Sequence, residues 1–155
     1  MLCGCIVDQL ETRMKMIRRY SELIMLPTFE ERFEYLKLGG KVGELTFGYD
    51  RRLNQNLYHK DLEWKKARRE VIIRDCGYDL GCKDHPIPNG IRIIVHHMNP
   101  ISQDDILNRS DILFNPEYLI TTTDSTHNAI HYGDGSLLSL SKPIERLPND
   151  TCPWR

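Results

Sequence analysis

Apolar positions recur with helical spacing in three stretches of the chain and with strand character in two. In TFEERFEYLKLGG, Phe29, Phe33 and Leu36 fall on one helical face, and Thr28 with Glu31 three residues later forms a capping box. Gly39 supplies the stop, so a helix is predicted over about Thr28 to Leu38. Asp61 caps DLEWKKARREVIIRD, where Leu62, Trp64, Ala67, Val71 and Ile72 provide apolar positions and Gly77 ends the run. Between these helices, KVGELTFGYDRRLNQNLYHK has no clear period and reads as strand or extended loop. Asn89-Gly90 is a hairpin-turn dipeptide, and IRIIVHHM after it is β-branched enough to be a strand that ends at Pro100. A polar loop, SQDDILNRSD, leads to a second short strand in EYLITT. TDSTHNAIHYG then reads as a short helix capped by Thr123 or Asp124 and terminated by Gly133. The order strand, loop, strand, helix, preceded by helices, predicts an α+β chain.

A length of 155 residues argues for one domain with tails. The formal net charge of -1 excludes a polybasic grip on nucleic acid by the whole molecule, so any such contact must use a local patch. No apolar run approaches the roughly 18 residues of a membrane span, and no membrane partner is expected. The five cysteines, Cys3, Cys5, Cys76, Cys82 and Cys152, are an odd number without a secretory signal, which fits a reducing cytoplasm better than a disulfide framework. The opening MLCGC resembles a lipoprotein box, but no targeting segment stands ahead of it. Residues 1–16 read as a disordered or start-site extension. Pro143, Pro148 and Pro153 mark the last stretch as an irregular tail.

Four of the six histidines, His96, His97, His127 and His131, sit at the ends of the strand-strand-helix unit. His127 and His131 are four apart, so on a helix they share one face, as two imidazoles must to share a metal ion. His127 also lies in the first turn, where the helix dipole disfavours the imidazolium and keeps a lone pair available. His59 and His85 are isolated and read as surface or loop residues.

The segments VHHMNPI, NPEYLITT and HNAIH together resemble the HNH, or ββα-metal, endonucleases. More narrowly, SELIMLPTFEERFEYLKL, TFGYDRRLNQNLY, EWKKARREVIIRD and THNAIHYGD resemble phage-encoded HNH proteins of bacteria, over roughly residues 17–135. The resemblance implies an HNH nuclease core over 61–134, with a helical and extended segment over 17–60 packing on it and the irregular tail over 135–155. It implies DNA as the substrate, one divalent ion (Mg, Mn, Ni or Zn) as the cofactor, and no small-molecule cofactor. It also implies action in the infected bacterial cytoplasm, with terminase and packaging proteins as candidate partners. Residue by residue, it makes His97 the general base and His96 and His127 metal ligands, with His131 matching the extra ligand of members that carry an H-x3-H helix.

Two positions depart from the family's pattern. Its middle Asn, which ties the inter-strand loop to the base-bearing backbone, is replaced by Tyr118, so that tie falls to Tyr118, Asn115 or Asn99, or is lost. Many members also carry a zinc knuckle, whose last two cysteine positions are here Thr123 and Thr126. Cys76 and Cys82 lack a second half and read as ordinary thiols.

Hydrolysis of a phosphodiester builds negative charge on the phosphoryl and leaving oxygens, which calls for a divalent cation as charge clamp. A histidine with an ordinary pKa of about 6.5 is mostly neutral near pH 7 and can accept a proton from water. An alternating strand sends His96 and His97 to opposite faces. For one to hold metal and the other to face water beside it, the chain is expected to leave strand geometry there, with Pro100 consistent with the break.

Charge is segregated: residues 41–75 carry a net +3 and residues 101–134 a net -5. Lys65, Lys66, Arg68 and Arg69 form a candidate phosphate-backbone clamp. The competing reading is a catalytically weak or inactive HNH-fold accessory that binds DNA or assists assembly. A zinc peptidase is excluded because His127-Asn128 lacks the Glu of H-E-x-x-H.

Overall fold

In the computed structural model, which describes residues 16–38, 55–82 and 85–138, an antiparallel hairpin forms the centre. Its strands are β3 (Ile94–His97) and β4 (Leu119–Thr122). Register pairs Ile94 with Thr122, Val95 with Thr121, His96 with Ile120 and His97 with Leu119. All four β4 residues are buried, because a helix covers each face of the hairpin.

Helix α3 (Leu62–Arg74) covers one face. Asp61 caps it by accepting from the amides of Glu63 and Trp64, and Trp64, Ala67 and Val71 point inward at i, i+3 and i+7. They join Val95, Leu113 and Leu119 in one apolar cluster. Leu62, expected among the apolar positions, is 79% exposed. Two residues of helix separate it from Trp64 by about 200°, which turns it to solvent. Helix α5 (Asp124–Tyr132) covers the other face, with Ile130 packed against Met98 and Ile120. Thr123 is its cap, and Gly133 closes it at φ 67°.

Helices α1 (Tyr20–Leu23) and α2 (Phe29–Leu36) pack on this second cluster through Leu23 and Leu36, both fully buried. Burying each such leucine contributes about 1.5–3 kcal/mol. The Thr28–Glu31 capping box is present, but α2 ends at Leu36, ahead of Gly39, because Lys37 is already extended. A small sheet of β1 (Tyr78–Asp79) and β2 (His85–Pro86) follows α3. The Asn89-Gly90 turn forms, with Gly90 at φ 89° and the Ile91 amide on the Pro88 carbonyl, but it links two separate sheets.

Two expectations are corrected. Residues Asn56–Lys60, expected as strand or loop, form a π-helical turn that drives Leu57 into the core and sets Tyr58 edge-on to Trp64 at 5.1 Å. The polar loop after β3 contains helix α4 (Gln103–Leu107), started by a capping box between Ser102 and Asp105. The readings of residues 1–15, of the TFGYDRRLN segment and of the tail beyond Leu138 fall outside the described residues.

Candidate metal centre

His96 comes from β3, and His127 and His131 from α5. The pleat turns His96, like its partner Ile120, toward α5. The amide of His127 donates to the Thr123 carbonyl at 2.9 Å, so His127 ends the first helical turn and His131 lies one turn on, over the same face. Ring centroids are 5.2 Å apart for His96 and His127, 4.9 Å for His96 and His131, and 4.3 Å for His127 and His131. The three expected ligands therefore converge, with one ligand atom from each within 4.8 Å of the others.

The donor set fits a divalent ion. A tetrahedral site with metal–nitrogen bonds of about 2.0–2.1 Å spaces its nitrogens about 3.4 Å apart. The Nε2 atoms of His127 and His131 already lie 3.0 Å from each other. His96 Nε2 is buried with no hydrogen-bond partner, a cost that a bound cation would remove. Burial holds His96 well below the ordinary histidine range, and the His131, His127, His97 and Arg18 charges add to this. Burial likewise pushes His131 down to about 4. His127 is lowered by burial, with the Asn128 hydrogen bond and Asp124 opposing and Arg92 reinforcing. Near neutrality the rings are uncharged, which is the ligating form. Among the described residues no fourth His, Cys, Asp or Glu joins the group. Three protein ligands are the number that catalytic zinc sites supply, with water or substrate taking the fourth position there.

His97 is placed differently from the expectation. Strand geometry persists through it, so its ring turns to the α3 face while His96 faces α5. It stacks on Trp64 at 4.9 Å and 20°, and its Nε2 lies 3.1 Å from the Leu113 carbonyl. A carbonyl only accepts, so Nε2 carries the proton and Nδ1 the lone pair. Burial pushes this ring down to about 4, with the bond to Leu113 opposing.

The inter-strand loop is tied by several groups at once. Asn115 orders it from within, accepting from the Glu117 amide and donating to Asp111. Tyr118 contributes through its carbonyl, which accepts from Met98 N at 3.0 Å. Asn99 instead clasps the backbone of Arg18, accepting from its amide at 2.7 Å and donating to its carbonyl at 2.9 Å. The principal side-chain tie is Arg74, which sequence reasoning missed. It donates to the carbonyls of Pro116 and Leu119 at 2.6 and 2.8 Å, pairs with buried Asp75 and lies over the Tyr20 ring.

Where a zinc knuckle would stand there is a polar brace. Buried Asp79 accepts from the amide and hydroxyl of Thr123 and from the Gly81 amide, while Thr126 packs inside. Cys76 is an exposed free thiol. Lys65, Arg68 and Arg69 line a cavity with Ile72 and Ile73 on the outer side of α3, and Lys66 pairs with Glu70. They lie across the hairpin from the three histidines. The Arg18 charge helps to lower His96 and the Arg92 charge His127, and no local motif marked either one.

No helix among the described residues is long and apolar enough to cross a membrane. The chain matches no family model, no curated protein and no solved structure.

Proposed function

We propose that the chain is a metal-dependent endonuclease of the HNH kind that hydrolyses phosphodiester bonds in DNA at the three-histidine centre. The observation that carries this reading is the convergence of His96, His127 and His131, uncharged near neutrality. The motif resemblance supplies the substrate class and the phage setting, with terminase and packaging proteins as candidate partners. A divalent ion held by these rings would supply Lewis-acid stabilisation of the charge that builds on the phosphoryl group.

The motif resemblance makes His97 the proton acceptor, a role that requires its ring to leave the α3 face, where it stacks on Trp64, and turn toward the three-histidine side. Its hydrogen bond to Leu113 holds it in the tautomer with Nδ1 unprotonated, and its lowered pKa keeps that lone pair free at neutral pH. Arg74 and the Met98–Tyr118 backbone bond hold the loop that presents the Leu113 carbonyl. Lys65, Arg68 and Arg69 are proposed to hold duplex backbone farther from the reacting bond, with Lys66 beside them.

One observation favours the accessory reading instead: His97 packs on Trp64, across the strand from the three ligands. Supercoiled plasmid incubated with protein and Mg²⁺, Mn²⁺, Ni²⁺ or Zn²⁺ separates the two. Cleavage by the wild-type protein, with His127→Ala losing metal by calorimetry and cleavage together, supports the hydrolase. His97→Ala is expected to keep the metal and lose cleavage, and cutting that survives this change removes His97 as the base. Full metal loading with no cleavage under any of the four ions supports the accessory.

A further inference from the structure

The outer side of α3 carries more positive charge than neighbouring carboxylates neutralise. Lys66 is paired with Glu70 at 3.9 Å, and Arg74 with Asp75. Among the described residues Lys65, Arg68 and Arg69 pair with no carboxylate, and all three are exposed. They are also the basic residues that line the cavity of about 320 Å³ on this helix. The rest of its lining is apolar: Ile72, partly buried against the core beneath, and Ile73, which is 68% exposed. Positions 65, 68, 69, 72 and 73 follow one helical face over about 12 Å, so the hollow is basic toward the start of α3 and apolar toward its end. Arg68 is fixed within it, because Nη2 donates to the Ile93 carbonyl at 3.2 Å, and that neutral acceptor leaves the charge uncancelled.

The ligand that satisfies such a hollow is an anion with an apolar body beside its charge. Duplex backbone supplies the anion alone, since its bases are stacked inside the double helix and leave nothing for the isoleucines. A nucleotide freed from pairing supplies both, a phosphate for the cations and a base whose flat face covers apolar surface. The volume agrees, because it exceeds a lone phosphate and lies near the lower end of the roughly 300–1,000 Å³ of small-ligand sites. We propose that the α3 hollow seats one unpaired nucleotide, so that the protein favours DNA at a junction of double and single strand over uninterrupted duplex. Lys65, Arg68 and Arg69 take the phosphates at the junction, and Ile72 and Ile73 take the first unpaired base. Contacts to phosphate and to the face of a base, rather than its edge, carry little sequence preference. DNA as the ligand rests on the hydrolase reading, but the seat is a binding claim and is tested as one.

The test is fluorescence anisotropy with the full chain in chelator, across a salt series, on a labelled blunt duplex and on the same duplex extended by a short unpaired tail. The wild type is expected to bind the tailed duplex about fivefold more tightly. Ile73→Gln, at an exposed position where the fold does not depend on the side chain, is expected to erase that preference. No charge changes in this variant, so the slope of log affinity against log salt stays as it was for both DNAs. Ile73→Leu keeps the apolar surface and is expected to keep the preference. Lys65→Gln is expected to weaken binding of both DNAs and to flatten the slope by about 0.7–0.9. Equal affinity of the wild type for the two DNAs, or a preference untouched by Ile73→Gln, would overturn the seat. Binding to phosphatidylserine vesicles that depends on Ile73, with no preference for the tail, would assign the hollow to a lipid headgroup and overturn it too. A tail preference that needs Ile73, in a protein that cuts with none of the four ions, defeats the hydrolase reading and leaves the seat. Cleavage of duplex with no tail preference does the reverse.

Discussion

Acid should destabilise the metal-free protein through His97, by an amount that follows from where the ring sits. It is 8% exposed, stacked on Trp64, and pushed down to about 4 by burial. In the unfolded chain the same group titrates near 6.5. Between those values the unfolded chain binds a proton that the folded chain refuses, so stability rises with pH there. The contribution is complete above about pH 6.5, falls on acidification by about 1.4 kcal/mol per pH unit, and is lost as pH drops through about 4. The total is about 3 kcal/mol, a large share of the roughly 5–15 kcal/mol that holds a domain folded. Urea unfolding in chelator, at several values between about pH 7.5 and 4.5, gives the stability profile. His97→Gln keeps an N–H for the Leu113 carbonyl and cannot titrate. Its stability relative to wild type should therefore improve by about 3 kcal/mol from neutral to acid pH. The lowered pKa values of His127 and His131 steepen both profiles alike and cancel in that difference, and His96 cancels apart from its coupling to the His97 charge. Parallel profiles for the two proteins would refute the burial argument and with it the neutral, lone-pair-bearing state assigned to His97.

Zinc at a hundredfold excess over its dissociation constant should stabilise the wild type by about 2.7 kcal/mol, and should do nothing for His131→Ala; equal shifts in thermal unfolding would mean that the ion binds elsewhere. Gly81→Ala would place a Cβ 2.5 Å from Thr126 Cγ2. A loss of about 1–3 kcal/mol is expected, partly recovered by adding Thr126→Ser, which removes that methyl; an unchanged denaturation midpoint would show that the helix end yields freely. Arg74→Ala strips partners from the Pro116 and Leu119 carbonyls and from buried Asp75, and should cost about 3 kcal/mol in urea, whereas a loss under 1 kcal/mol would mean that backbone bonds suffice to hold the loop. Charge reversal at Lys65 and Arg69 should weaken duplex binding equally for unrelated sequences and reduce its salt dependence; a changed cleavage-site preference would mean instead that α3 reads bases.

Local signals in the chain were enough for its local structure. Thr28 with Glu31 and Asp61 ahead of Trp64 mark helix starts through side chains that reach amides two or three residues away, and such contacts need nothing from the rest of the molecule. The capping box of Ser102 and Asp105 obeys the same rule and was equally legible, although the polar composition around it reads as loop. The four-residue spacing of His127 and His131 fixes their shared face for the same reason, and proximity to the His96 strand end is a short step from there. What no neighbouring residue could dictate was which way each strand-end ring would face another element. His96 meets α5 and His97 meets Trp64 only because two helices, far apart in sequence, close on opposite sides of one hairpin. Arg18 and Arg74 gain their places in the same way, through partners 17 to 81 residues distant. A charge on a long flexible side chain carries no periodic signature, so its position is decided by the packing that surrounds it.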